Sequence, residues 1–174
     1  MNLPQALLRH RTLVIEGADG IPRDGLIAGL ARHGFPIQHL PDRLHHVDPT
    51  RPYRELLAAP GRVALDGSII HELVYGPLRR GHSRVTWIQA LDFAESVAER
   101  DGALIHLTAS VSFPRPACTD FTEAADAYAR AMRTLAQHVP VVSLDAADLT
   151  HPTRPGTPAH RELARKKHQL TVRW

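Results

Sequence analysis

The chain has 174 residues, 43% hydrophobic and 22% charged, with a formal net charge of +3, a sequence pI near 9.5 and a mean hydropathy of −0.23. This is ordinary globular content at a length that suits a single domain over residues 1–174 with a sizeable core. No apolar run approaches the ~18 residues of a bilayer-spanning helix, Arg9, His10 and Arg11 interrupt what would be a leader's apolar stretch, and the single Cys118 excludes an internal disulfide, so a cytoplasmic protein without a membrane partner is expected.

Short apolar runs at residues 12–16, 36–39, 63–66, 103–108 and 139–145 are predicted strands. Longer amphipathic stretches between them are predicted helices over 25–33, 52–58, 68–78 and 84–100, and from 120 to about 137. Strand and helix alternate as in repeated βα units, which implies an α/β fold built on a parallel sheet. Trp87, Leu91, Ala94 and Ala98 recur at helical spacing and read as core. Asp120 and Glu123 have the spacing of an N-cap and its N3 partner. Residues 150–174 open as a Pro-rich loop; Thr157 and Pro158 then provide a cap and a first-turn proline for a basic C-terminal helix.

The most informative stretch joins the first strand to the first long helix. A phosphate-binding loop has the form G-x-x-x-x-G-K-[ST], in which backbone N–H groups cradle phosphates, Lys reaches the β- and γ-phosphates and a hydroxyl meets Mg²⁺. Gly17 opens such a frame and Gly20 lies inside it, but the last three positions hold Pro22, Arg23 and Asp24. Pro22 removes one N–H donor and restricts Ile21. Arg23 keeps a positive charge as a planar fork in place of a compact ammonium. Asp24 puts a carboxylate at the hydroxyl position, where it repels a nucleotide unless a Mg²⁺ lies between them. A plain Gly/Pro turn from strand to helix is the alternative reading of residues 17–25.

A second cluster follows the third predicted strand. Asp66 ends it, and Ser68, Glu72 and Tyr75 fall near one face of the helix that begins there. In an open α/β sheet, ligands bind outside the carboxyl ends of the strands, which would put Asp66 and Ser68 beside the Gly17–Asp24 turn. Ser68 after Asp66 and Gly67 also reads simply as a helix N-cap.

With both clusters in view, the chain resembles the thymidylate kinase family of P-loop nucleoside monophosphate kinases. Val-Ile-Glu-Gly-Ala-Asp-Gly (residues 14–20) stands for the family's I-E-G-x-D-G-x-G-K-[ST]. Leu-Asp-Gly-Ser (65–68), followed by Glu-Leu-Val-Tyr-Gly-Pro and Arg-Arg-Gly (72–81), stands for its D-R-[ST] segment and the helix after it. The resemblance runs from about residue 10 to 147. It implies a five-stranded parallel sheet flanked by helices, the three-layer P-loop kinase sandwich. It also implies ATP and Mg²⁺ as cofactors of an active enzyme, and transfer of the γ-phosphoryl group to dTMP or a related monophosphate.

Carried over by position, Gly17, Asp19, Gly20, Arg23 and Asp24 would bind the donor nucleotide, with Asp24 on the metal. Ser68, Glu72, Tyr75 and Arg80 would line the acceptor side, and Arg23, Asp66 and Arg115 would act in transfer. The departures are substantial. Gly67 replaces the arginine of the Asp-Arg pair, and between Ser110 and Asp120 the lid arginines are reduced to Arg115, set between Pro114 and Pro116. One lost stabilising donor costs phosphoryl transfer roughly 10²–10³ in rate. A degenerate kinase fold that still binds a nucleotide or another phosphorylated ligand is therefore expected. An active monophosphate kinase and a non-catalytic interaction scaffold are the alternatives.

The remaining features add less. His39, His45 and His46 lack the spacing of a zinc site, and His106 within an apolar strand reads as a hydrogen-bonded core residue. His71 reads as either a surface or a pocket group. Basic residues near the C-terminus have only Trp174 as a stacking platform, so a solvated helix end is expected rather than nucleic-acid binding. A homodimer, if formed, would use the helix over residues 84–100.

Overall fold

In the computed structural model, residues 2–39, 48–109 and 120–150 are described, and every structural statement below concerns these. Arg115, Cys118, His45, His46 and the C-terminal loop and basic helix lie outside them.

Five strands, β1 (Thr12–Gly17), β2 (Ile37–His39), β3 (Val63–Asp66), β4 (Gly102–Thr108) and β5 (Val141–Asp145), form one all-parallel sheet in the order β2-β3-β1-β4-β5. β1 lies at the centre and is buried along its whole length, as a strand covered on both faces must be. Seven helices flank the sheet among the described residues: α1 (Leu3–Arg9), α2 (Asp24–Arg32), α3 (Arg51–Ala58), α4 (Ile69–Arg80), α5 (Trp87–Glu99), α6 (Phe121–Leu135) and α7 (Ala146–Thr150). Helices α3, α4, α5 and α6 touch one another in a continuous layer, and α2 packs with α7.

The predicted strands, and the predicted helices between residues 25 and 137, are all present, with ends displaced by up to three residues; α1 and α7 are additions. α1 has its own start signal, a capping box in which Asn2 Oδ1 accepts from the Gln5 N–H at 3.0 Å and Gln5 Oε1 from the Asn2 N–H at 3.1 Å. Two readings are corrected. Trp87 is 45% exposed, because α5 begins there with its cap at Thr86 and its inward stripe is Ala90, Phe93, Ala94 and Val97. Asp120 stands at the N-cap position of α6 but makes no cap bond; its Oδ2 accepts from Arg79 Nε at 3.3 Å, so a cation on α4 takes the place of the capping amides.

The core joins Leu13 and Ile15 of β1, Leu65 of β3, and Leu104, Ile105 and Leu107 of β4 to Ile69, Ile70 and Tyr75 of α4 and Tyr128 of α6, all essentially without solvent exposure. Each such side chain contributes about 1.5–3 kcal/mol of burial. Gly17 reflects this tight packing: a Cβ there would meet Leu107 Cβ and O at 2.9 Å.

Chain direction positions the site. The connection from β1 reaches the edge strand β2 by passing over β3, while that from β3 returns across β1 to β4. The carboxyl ends of β1 and β3 therefore flank a point where connections diverge, the usual crevice for a ligand in an open α/β sheet.

Candidate functional site

At that crevice lies a cavity of about 700 Å³, walled by the turn after β1, the end of β3 and the length of α4. Asp19, Gly20, Arg23, Asp66, Ser68, Glu72, Tyr75 and Arg80 all border it, so residues from both sequence clusters converge there. Gly17 lies just inside, at the end of β1, and Asp24 stands exposed in the first turn of α2, where a carboxylate suits the positive helix end.

The turn is engaged internally. The Asp19 N–H donates to Tyr75 Oη at 2.7 Å, the Ile21 N–H to the Ala18 carbonyl at 3.3 Å, and Pro22 has no N–H. Gly20 adopts φ 89, a conformation that side chains with a Cβ rarely take. Arg23 reaches back: its guanidinium donates to Asp66 Oδ1 at 3.0 Å and to the Gly17 carbonyl at 3.4 Å. Burial works against its charge, yet the hydrogen bond and attraction of Asp66 outweigh it, and the guanidinium is held above its ordinary value. Asp66 is shared further, its Oδ2 lying 3.1 Å from His39 Nδ1.

These residues do not fit a Mg²⁺-triphosphate in the manner of a phosphate-binding loop. The amides of Asp19 and Ile21 are bonded within the protein, Pro22 has none to offer, and the Lys and hydroxyl positions are changed. Among the described residues no group of three or more His, Cys, Asp or Glu is arranged to hold a metal ion.

On α4 the side chains fall into two sets. Ser68 caps the helix, its Oγ accepting from the Ile70 N–H at 3.1 Å, so its capping role is realised. Glu72, nearly buried, gathers cations: it accepts from Arg80, from the Arg84 backbone N–H at 3.0 Å and from Arg84 Nε at 3.5 Å. Burial pushes the Glu72 carboxyl up, but these hydrogen bonds prevail and hold it below its ordinary range. The second set is His71, Tyr75 and Arg79, spaced four residues apart on one helix face, and all three hold Asp19. His71 Nε2 lies 3.2 Å from Asp19 Oδ1 and Arg79 donates to Oδ2 at 2.7 Å. The Asp19 carboxyl is drawn down to about 2, first by the His71 hydrogen bond and then by Arg79, against the opposing effect of burial. The Arg79 guanidinium also lies 4.0 Å over the Tyr75 ring.

Beneath the cavity is Glu16, the last side chain of β1, with 1% exposure. It is in register with His106 on β4 and faces Ser68, Tyr128, His71 and Arg23. Burial raises its carboxyl above the ordinary value, although Ser68, His71, Arg23 and Tyr128 all favour its charge. Among the described residues neither Glu16 Oε1 nor Tyr128 Oη makes a well-formed hydrogen bond, and both are buried. His106, buried, stacks on Tyr128 with ring centroids 6.3 Å apart, and burial depresses its pKa.

The sequence reading assigned no role to Glu16, Arg79 or Arg84 and left His71 between surface and pocket. Glu16 carried a signal, an acid inside an apolar strand. Arg79 carried another, one and two helical steps of four beyond Tyr75 and His71.

Together, the parallel sheet, its strand order and the switch-point cavity define an α/β protein with a P-loop-like fold. Consistent with this, the chain is similar to a crystal structure of the Bacillus subtilis YorR protein in complex with phosphorylated GDP, with a TM-score of 0.65 and 16% identity over 78% of this chain and 86% of that one. No protein-family model matches the chain, and no curated protein matches it in sequence.

Proposed function

We propose that this protein is a thymidylate kinase-like binder of a phosphorylated small molecule, a nucleotide foremost, with weak or lost phosphoryl transfer. One contrast carries the reading: the turn that would hold a donor triphosphate is bonded to α4 and β3, whereas the neighbouring cavity keeps Arg79, Arg80, Arg84 and His71 along one wall. Arginine forks are the side chains best matched to phosphate oxygens. The cavity's size suits a mononucleotide, and the YorR structure, which shares the fold, is a complex with phosphorylated GDP. In this reading Arg80 and Arg84 meet the phosphate from the Glu72 side, Ser68 and Tyr75 line the acceptor end, and Arg23 and Asp66 form the floor between β1 and β3. Arg115 would supply the remaining lid cation.

Calorimetric titration with dTMP, dGMP, GDP and ATP, with and without Mg²⁺, tests binding, and coupled assay of ADP release tests transfer. The expected result is saturable binding of at least one of these nucleotides with little ADP formation. Efficient γ-phosphoryl transfer would overturn the degenerate reading, and absence of binding to all four would favour a scaffold.

A further inference from the structure

We infer that His71 and Arg79 form a phosphoryl-binding subsite on α4, with Tyr75 between them anchoring the turn, and that the protein's own Asp19 carboxylate occupies it as an internal stand-in that a ligand phosphate must displace. The inference rests on the phosphorylated-ligand reading of the cavity. Two contacts are those of a bound oxyanion, Oδ1 lying 3.2 Å from His71 Nε2 and Oδ2 accepting from Arg79 at 2.7 Å, while Tyr75 Oη accepts the N–H of the same residue at 2.7 Å and fixes the turn beside them. All three side chains project from one helix face at intervals of four, and the rings of His71 and Tyr75 lie 4.6 Å apart, so the donors are held in place by the helix and by each other. All three, with Asp19 itself, line the cavity.

A phosphate monoester carries nearly twice the charge of a carboxylate and can reach both His71 and Arg79 at once, which favours exchange. While Asp19 remains in place it both fills the subsite and repels an incoming phosphate. Release of its side chain would also loosen the Tyr75 bond to its backbone, so ligand capture and opening of the Ala18–Ile21 turn become one event. A subsite free for only about a tenth of the time weakens apparent affinity about tenfold. Asp19 would thus set the ligand concentration at which the cavity fills.

The test compares wild-type protein with D19N and D19S, two small polar replacements on a half-exposed turn, by calorimetric titration of inorganic phosphate and of dTMP. D19N is expected to bind inorganic phosphate about tenfold more tightly, and adding Arg79→Ala to D19N to erase the gain. Phosphate affinity that is unchanged or weaker in both variants overturns the inference, as does a gain that survives loss of Arg79. A ligand-free measurement stands beside it: amide hydrogen exchange over residues 18–21 should be faster in D19N, and equal protection would overturn the clamp. The two readings fail separately. Wild type and D19N that bind neither inorganic phosphate nor any of dTMP, dGMP, GDP and ATP retire the phosphorylated-ligand reading and this one with it, whereas nucleotide binding by wild type with no phosphate gain in D19N removes only the stand-in.

Discussion

Asp66 Oδ1 accepts a hydrogen bond from the Arg23 guanidinium at 3.0 Å, joining the turn after β1 to the end of β3 across 43 residues of chain. Both side chains are about four-fifths buried, so the pair falls between an exposed ion pair worth almost nothing and a buried one whose disruption is costly. Asp66→Ala leaves the largely buried Arg23 with the Gly17 carbonyl as the one acceptor of its side chain among the described residues, and should destabilise the fold by about 1–3 kcal/mol in urea titration. Arg23→Ala leaves Asp66 its His39 contact and should cost less. A double-mutant cycle gives the coupling. A cycle showing none, with Arg23→Ala abolishing ligand binding at unchanged stability, would mean that Arg23 serves the ligand rather than the floor.

Gly17 is the first glycine of the loop motif, yet the close approach it permits is to a neighbouring strand. It is in register with Leu107, and a Cβ would lie 2.9 Å from both Leu107 Cβ and its carbonyl oxygen. Neither atom is the tip of a flexible chain, so β1 and β4 would have to separate. Gly17→Ala should lower stability by roughly 1–3 kcal/mol, the usual range for overpacking a core. Thermal unfolding without ligand checks this. A variant of unaltered stability that fails to bind phosphate would return the glycine to the anion cradle.

Glu16 makes stability fall with rising pH. Its carboxyl, raised by burial, binds a proton more readily in the folded than in the unfolded chain. Stability is therefore greatest below its ordinary value of 4.5 and is lost as pH climbs from there through the raised folded value. Glu16→Gln keeps the shape and removes the titration, so the variant's advantage over wild type should grow with pH through that window. His106 acts in the opposite sense: depressed by burial, it adds stability above its ordinary 6.5 that is lost as pH falls below it. Urea midpoints across pH 4–8 for wild type, Glu16→Gln and His106→Asn separate the two. A Glu16→Gln difference that does not change with pH would show that Glu16 titrates alike in the folded and the unfolded chain.

Much of the sheet was legible because buried parallel strands leave nearly continuous apolar runs, as in Leu13–Ile15 and Leu104–Ile105, with turn residues between them. The site was legible only as two motifs. That Gly17–Asp24 and Asp66–Tyr75 meet follows from β3 pairing with β1, a long-range fact that sequence supplies only through resemblance. Pairing within the cavity was not legible at all. Arg23 could be read as a cation for phosphate, but its turn toward Asp66 depends on the register that sets the end of β3 beside Ile15, near the end of β1. Trp87 was misread because helical spacing gives the period of a face and not its phase: α5 turns Ala90, Phe93, Ala94 and Val97 inward and leaves Trp87 and Ile88 at the surface.

Arg80 and Arg84 are the cavity cations with the least structural work to lose. Each is more than two-fifths exposed in its side chain, and both lean on Glu72, which collects them at the end of α4 and the turn beyond. Arg84 also holds Glu72 through its backbone N–H, a bond that side-chain replacement leaves intact. Arg84→Ala should therefore change the melting temperature little and weaken binding of a phosphorylated ligand by about 10-fold or more, as expected for loss of a charge-assisted hydrogen bond worth ~1.5–3 kcal/mol. Arg84→Lys should recover only part of that, since an ammonium keeps the charge and loses the planar fork. Glu72→Gln should act the other way: it weakens the internal hold on both arginines, frees them for the ligand and makes binding more sensitive to salt. Titrations of the three variants at two ionic strengths decide the matter. Arg84→Ala with unchanged affinity would remove Arg84 from the ligand's contacts and leave its phosphate to the His71 and Arg79 side of the cavity alone.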